Sequence, residues 1–306
     1  MILSAGLSPA WQQILRFKSL RLGEVNRAEE AVWCASGKVI NVGVAGVSLG
    51  SDVTIVSAIG GISGDIIQRE LEYLNVRTEW IFSSSATRVC TTLIDASGVT
   101  TELVENTPDV DEATVEDFID RTRVYANVAD VTVLTGSLPA NAPADVFARV
   151  LRGLHEKVIL DLRGDVLNHC LPMHPFLVKP NREELAATLK RPLTSDEELI
   201  SAMRQLNDWG ARWVVVSDGP RGVWVTSDEI SAHLIPPKVE VVNPIGCGDS
   251  LAAGIARGLE QNLDVVESIR LGMGAAANNA EQLLPARLSA ERSLALAKLV
   301  DVREWT

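Results

Sequence analysis

The chain has 306 residues and 46% of them are apolar, enough to bury a large core and too many for a disordered or fibrous chain. Its 28 Lys and Arg stand against 40 Asp and Glu, a net charge of −12, and no basic run interrupts that acidity, which argues against a nucleic-acid or membrane-surface partner. The four cysteines, Cys34, Cys90, Cys170 and Cys247, form no C-x-x-C pair and read as free thiols of a reducing cytoplasm.

The opening MILSAGLSPAWQQILRF has no basic segment ahead of an apolar stretch, so no secretory signal is expected. No window reaches the ~18 consecutive apolar residues of a membrane span. Residues 15–33 alternate polar and apolar side chains and read as extended. A short β-branched run predicts a buried strand over 53–58, followed by Gly60-Gly61 and a helix over 64–74. Residues 88–103 again read as extended, folded back at Ala96-Ser97-Gly98, a hairpin-type turn. Further on, strands are predicted over 131–135, 158–162, 176–178 and 213–217. Helices are predicted over 142–154, after Pro139 and Pro143, and over 195–208, which opens on the capping-like S-D-E-E. Two more are predicted over 248–259 and 265–280. Strands alternating with helices predict a mostly parallel sheet covered on both faces, and the two extended stretches predict a small β layer attached to it. No linker or fixed-period repeat divides the chain, so residues 1–306 are expected to form one unit, with a lid made of about 11–34 and 87–107.

The strongest chemical signal is VVNPIGCGDSLAA at 241–253. An extended run is expected to end at Pro244. Gly246 and Gly248 then frame Cys247, and Asp249 precedes a helix of small residues. Glycines permit a tight turn whose N–H groups point into one space, and the helix adds its positive end, so the pair suits a developing negative charge. Asp249 sits where a carboxylate could take a hydroxyl proton, or could simply cap the helix.

This segment resembles the second signature of the PfkB family of carbohydrate kinases, within the ribokinase-like superfamily. The resemblance runs through nearly the whole chain in the family's order. Leu7-Ser8-Pro9-Ala10 resembles the T-x-N-P-A-x-D opening of the 1-phosphofructokinase and tagatose-6-phosphate kinase branch, and residues 22–27 read L-G-E-V-N-R as that branch does. S-G-K-V-I-N-V at 36–42 resembles G-G-K-G-I-N-V, and Gly60-Gly61 with Gly64-Asp65 resembles the family's G-G segment. T-G-S-L-P at 135–139, K-P-N-R-E-E at 179–184 and V-S-D-G-P-R-G at 216–222 follow.

The resemblance implies a three-layer α/β/α fold with a β-sheet lid, and phosphorylation of a sugar or sugar-phosphate hydroxyl by ATP with Mg²⁺. Asp249 would be the base, and Gly246, Cys247 and Gly248 the anion hole for the transferred phosphoryl group. Asn181 and Glu184 would order magnesium and phosphates, Glu184 through water; a solvated helix charge is the plainer reading of Glu184. Lys179 would contact phosphate or face solvent. Ser217 and Gly219 would line the nucleotide edge, Gly222 would shape its turn, and Asn279 would lie near the adenine or serve as a polar helix residue. On the acceptor side stand Gln12, Gly37, Lys38, Asn41, Ser137 and Arg88. Arg88 would bind a phosphate already on the substrate, with Arg27 as a further cation; surface charge is the alternative for each. Dimerisation through the lid is also implied, since pairing would cover an exposed sheet edge.

Departures from the family pattern collect on the acceptor side. Gln12 replaces an Asp and Ser8 an Asn; Ser36 and Val39 replace glycines; Cys90 and Val104 replace polar residues. A site that loses such partners discriminates differently, so a shifted acceptor is expected. Trp11 and Trp33 would stack on a sugar face, or serve a core or interface. Two other classes stay open: a non-catalytic nucleotide or sugar sensor, and a free-sugar or nucleoside kinase. A hydride-transferring enzyme does not fit. Gly272-Met273-Gly274 falls within a helical pattern, with no strand before it. His155, His169, His174 and His233 show no metal-ligand spacing.

Overall fold

A computed structural model describes residues 1–154 and 157–305; His155 lies outside the described residues. The strands are β1 (Ile2–Ala5), β2 (Ala10–Phe17), β3 (Glu30–Ser36), β4 (Val53–Ile59), β5 (Arg77–Phe82), β6 (Val89–Asp95), β7 (Thr100–Val104), β8 (Val131–Thr135), β9 (Lys157–Asp161), β10 (Leu177–Val178), β11 (Trp213–Ser217), β12 (Val223–Thr226), β13 (Ser231–Ile235) and β14 (Asp301–Glu304). The helices are α1 (Lys38–Ser48), α2 (Gly61–Tyr73), α3 (Glu112–Ala126), α4 (Val146–Leu151), α5 (Gly164–Cys170), α6 (Arg182–Leu189), α7 (Asp196–Asp208), α8 (Cys247–Glu260), α9 (Val265–Ala280) and α10 (Ala290–Ala297).

Ten strands form one sheet in the order β14-β13-β12-β11-β10-β9-β8-β1-β4-β5. It is parallel from β11 to β5, and β12 to β14 are added antiparallel at one edge. Parallel strands need both faces covered, and their apolar runs supply two faces. Leu3, Val56 and Leu134 face a core closed by α3 to α7. Ile2, Ile55 and Val133 face a second core under α1, α2, α8 and α9. The fold is therefore the expected three-layer, ribokinase-like α/β/α arrangement.

The second sheet has the order β3-β2-β6-β7. Its β2–β6 pair is parallel and its outer pairs antiparallel. The hairpin turn forms where Gly98 takes φ 83° and the Asp95 Oδ1 accepts from the backbone of Ser97 and Val99.

Several elements differ from the sequence expectation. The helix predicted over 142–154 shortens to α4, because Pro143 keeps the chain in turns before it. The run ending at Pro244 joins no sheet; the Val242 and Asn243 N–H groups instead donate to the Ala280 carbonyl. Strands β1, β5 and β12 to β14 and helices α1, α3, α5, α6 and α10 go beyond the predicted set. Among the described residues no helix is long and apolar enough to cross a membrane.

Candidate active site

A cleft of about 810 Å³ opens outside the carboxyl ends of β1, β8, β9, β10 and β11, roofed by the second sheet. Ligands bind at such ends where strand order reverses, and here β1 is flanked by β4 on one side and β8 on the other.

At its floor α8 begins. Gly246 is its N-cap at φ 84°, a left-handed conformation for which glycine is suited, and an added Cβ would also press the Pro285 Cβ at 2.8 Å. Asp249 stands in the first turn and makes no capping bond, so helix capping does not account for it. Its carboxylate is buried, and Asn41 Nδ2 donates to its Oδ2 at 2.7 Å. Ser36 Oγ donates to Asn41 Oδ1 at 3.1 Å, which fixes which end of the amide faces Asp249. Burial, reinforced by the charge of Asp161, pushes the Asp249 carboxyl up to about 6; Lys38, Asn41 and Lys179 oppose the rise. A carboxylate in that range is suited to exchange a proton near neutral pH.

Asp161, at the end of β9, is the residue that the sequence reading missed. It is buried and accepts from Lys38 at 3.3 Å and from Thr135 Oγ1 at 3.1 Å, and it pairs with Lys179 at 3.2 Å. Burial works against its charge, but Lys179 and Lys38 outweigh it and hold the carboxyl below its ordinary value. Lys38 Nζ also donates to Glu184 Oε1 at 3.1 Å. Burial would lower the Lys38 pKa, yet Asp161, Glu184 and Asp249 together keep the ammonium above its ordinary range. The cleft centre thus holds three carboxylates against two ammonium groups, too little positive charge for a triphosphate by itself.

Of the residues predicted at the site, Gln12, Gly37, Lys38, Asn41, Arg88, Ser137, Lys179, Asn181, Glu184, Ser217, Gly246, Gly248 and Asp249 line this cleft. Asn181 caps α6 in a capping box with Glu184, whose Oε2 accepts the Asn181 N–H at 3.0 Å. Glu184 is therefore partly buried and held, not a solvated helix charge. Arg88 is clamped by backbone carbonyls, donating to Ser8 at 3.2 Å, Pro9 at 3.4 Å and Glu105 at 3.1 Å, which leaves part of its five-donor fork for a ligand.

Other expectations need correction. Cys247, Gly219, Gly222 and Asn279 do not border the cleft. Burial pushes the Cys247 thiol up to about 11, so it is no thiolate at neutral pH. Gly222, at φ 115°, seats its turn against the Leu234 carbonyl, which a Cβ would meet at 2.2 Å. Asn279 is wholly buried behind the glycine turn. Arg27 is exposed between β2 and β3 and does not reach the cleft. Val39 lies in the core, its carbonyl taken by Ser4 Oγ, so this departure from the family pattern does not touch the acceptor. Trp11 and Trp33 stack on each other at 5.9 Å, and the two-residue alternation of β2 puts them on the opposite face from Gln12. The other departures, Ser8, Gln12, Ser36, Cys90 and Val104, do line the cleft.

A cleft at the carboxyl edge of a parallel sheet, floored by a glycine turn and a buried carboxylate, defines a phosphotransferase of the ribokinase-like kind. Residues 12–289 match the pfkB family of carbohydrate kinases, and the chain belongs to that family. It is a sugar kinase, with ATP as the phosphoryl donor that the family implies.

Phosphofructokinase-2 from Escherichia coli in complex with fructose-6-phosphate is similar at 24% identity, covering 97% of this chain and 98% of that one, with a TM-score of 0.88. The tetrameric inhibited form of the same enzyme is similar at 24% identity over 97% and 98%, with a TM-score of 0.89. A possible 1-phosphofructokinase from Thermotoga maritima is similar at 20% identity over 100% and 99%, with a TM-score of 0.89.

Proposed function

We propose that the chain transfers the γ-phosphoryl group of ATP to a hydroxyl of a hexose phosphate, as 1-phosphofructokinase or tagatose-6-phosphate kinase does. The observation that carries this reading is Asp249, a buried carboxylate with a pKa near 6 beside a glycine turn at a helix start. Asp249 takes the proton of the acceptor hydroxyl as its oxygen bonds to the γ-phosphorus. The bond from that phosphorus to the β–γ bridging oxygen breaks, and ADP leaves. The Gly246 and Gly248 backbone, at the positive end of α8 and on the cleft wall, stabilises the charge on the transferred group. Lys38, an ammonium on the cleft wall, supplies one positive charge toward the phosphate during transfer. Lys179, Asn181 and Ser217, which line the cleft, serve the nucleotide side.

The acidic centre also supports Mg²⁺ arriving with ATP. Among the described residues no three His, Cys, Asp or Glu side chains are placed to hold one metal ion together. Glu184 is already engaged by Lys38 and the Asn181 N–H, so it fits an outer role through water, with the phosphates holding the metal. When bound, the metal would neutralise phosphate charge.

Arg88 supports a phosphorylated acceptor. Gln12 donates to Thr92 at 2.7 Å and so is partly occupied, and Cys90 and Val104 offer sugar hydroxyls little, which supports an acceptor shifted from the usual hexose phosphates. The test is ADP release with ATP and Mg²⁺ across fructose 1-phosphate, fructose 6-phosphate, tagatose 6-phosphate, fructose and ribose. We expect phosphorylated acceptors to be preferred. Arg88→Ala should raise their KM about tenfold or more, one to two charge-assisted contacts, and leave the KM of ATP unchanged. Preference for a free sugar, insensitive to Arg88, would overturn the phosphosugar reading. Best turnover of fructose 1-phosphate or tagatose 6-phosphate would overturn the shift.

The whole chain would act as one unit in the cytoplasm, with about 11–34 and 87–107 as a lid. Edge strand β7 leaves Leu103 and Val104 exposed, which supports pairing of two lids in a homodimer. Light scattering is expected to give twice the 33.0 kDa chain mass, and a monomer at assay concentration would count against it.

A further inference from the structure

We infer that Asn279, which does not touch the cleft, is a positioning residue for phosphoryl transfer, clipping the Gly246–Gly248 turn to the connection between α9 and α10. The inference rests on the reading of that turn as the phosphoryl site. Asn279 is in the last turn of α9 and has no exposed surface. Its Nδ2 donates to the Ile245 carbonyl at 2.8 Å and lies 3.4 Å from Cys247 Sγ, the residues on either side of Gly246. Its Oδ1 accepts from Ala286 N at 2.7 Å and from Ser250 Oγ at 3.1 Å. All four of the amide's hydrogen-bonding positions are therefore used, and they join the turn, α8 and the 281–289 connection at one point. Asn243 makes the second clip, donating from Nδ2 to the Leu283 carbonyl at 2.8 Å and accepting the Ile245 N–H at 3.0 Å.

These bonds act on direction. A turn that stabilises a transferring phosphoryl group must aim its N–H groups at the place where charge develops, and a displacement near 1 Å can cost about 10²-fold in rate. Gly246 gives the turn a left-handed freedom that the neighbouring amides remove. Beside Asn279 the molecule supplies its own comparison. Asn278 is also buried and bonds the same connection, through Ser289 N at 2.8 Å and Glu281 Oε2 at 3.3 Å, and α10 through Ser293 Oγ at 3.4 Å, but it has no bond to the glycine turn.

The experiment compares Asn279→Ala, Asn279→Asp and Asn278→Ala in the full chain. It follows acceptor-dependent ADP release and inhibition by ADP, Mg²⁺ and aluminium fluoride, a mimic of the transferred group. Asn279→Ala is expected to lower kcat about 100-fold with both KM values within about threefold, and to weaken inhibition by the mimic by a similar factor while ADP alone binds unchanged. Asn279→Asp keeps the acceptor oxygen toward Ala286 but turns a second oxygen on the Ile245 carbonyl, and should lose kcat as well; it carries the test if the alanine variant does not fold. Asn278→Ala should lose thermal stability and keep kcat within about threefold. Equal kcat for the Asn278 and Asn279 variants would overturn the inference. Gly248→Ala separates this from a failure of the underlying reading, because its Cβ meets only Lys179 Nζ, at an ordinary 3.7 Å. If that variant leaves the mimic's affinity unchanged, the turn is not the phosphoryl site. If it weakens the mimic and the Asn279 variants do not, only the positioning role falls.

Discussion

Asp249→Asn is expected to lower acceptor-dependent ADP release by about 10²–10⁴-fold, the usual contribution of a positioned general base. ATP binding should persist, because the glycine turn, Lys179 and Ser217 are untouched. The parent enzyme's kcat/KM should fall tenfold per unit of pH below about 6, since protonated Asp249 cannot accept a proton and its carboxyl titrates there. The same burial predicts a stability effect of opposite sign. Asp249 binds its proton more tightly folded than unfolded, so its contribution to stability is full below the ordinary value of 3.8 and is lost as pH rises through about 6. At pH 7.5 the ionised carboxylate therefore costs the fold something on the order of 2–3 kcal/mol, and Asp249→Asn should unfold at a higher temperature than the parent. An inactive variant that is also less stable would point to a structural Asp249. An active one would remove the base.

The stability gain and the activity loss share one cause, which also explains what the sequence could disclose. Asp249 and its glycines are legible because a turn, a helix start and a carboxylate are adjacent in the chain, and local spacing carries the chemistry. The small sheet is legible in outline because alternation and the turn at Gly98 are local. Strands β12 to β14 are short, and their role as an antiparallel edge depends on pairing partners that no local pattern names. Helix α3 did carry a signal, Asp111 capping Thr114 ahead of Val115, Phe118 and Ile119, and could have been found from it. Asn279 and Val39 illustrate the opposite limit. Each lies within or beside a recognisable motif, yet burial decides the role: Asn279 faces the back of the turn, and Val39 faces the core. Resemblance placed residues near a ligand, whereas the direction of each side chain is set by packing.

Asp161→Asn is expected to reduce kcat strongly and to move the acid limb of the pH profile to lower pH. In the sequence Asp161 is a single acidic residue inside the apolar run predicted as a strand over 158–162, with no motif around it. Its importance comes from partners distant in the chain, since Lys38 lies 123 residues away and reaches the same carboxylate oxygen as Lys179. Removing this charge leaves two ammonium groups without their shared partner, and the new amide would turn a donor toward them. Breaking a buried pair by deleting one side costs about 3–5 kcal/mol, so a clear drop in unfolding temperature should accompany the substitution. Electrostatics fixes the direction of the pH shift. Asp161 raises the Asp249 carboxyl through like-charge repulsion, and Lys38 and Lys179 lower it. Without Asp161 the repulsion is gone and the two cations act on Asp249 unopposed by their partner, so both changes pull its pKa down from about 6. The pH dependence of kcat/KM between 4.5 and 8, measured on the folded variant, reads this directly. A limb that stays where it is would mean that the acid limb does not report Asp249. A limb that moves up would mean that the ammonium groups have swung away from Asp249 and that Asp161 positions them for it.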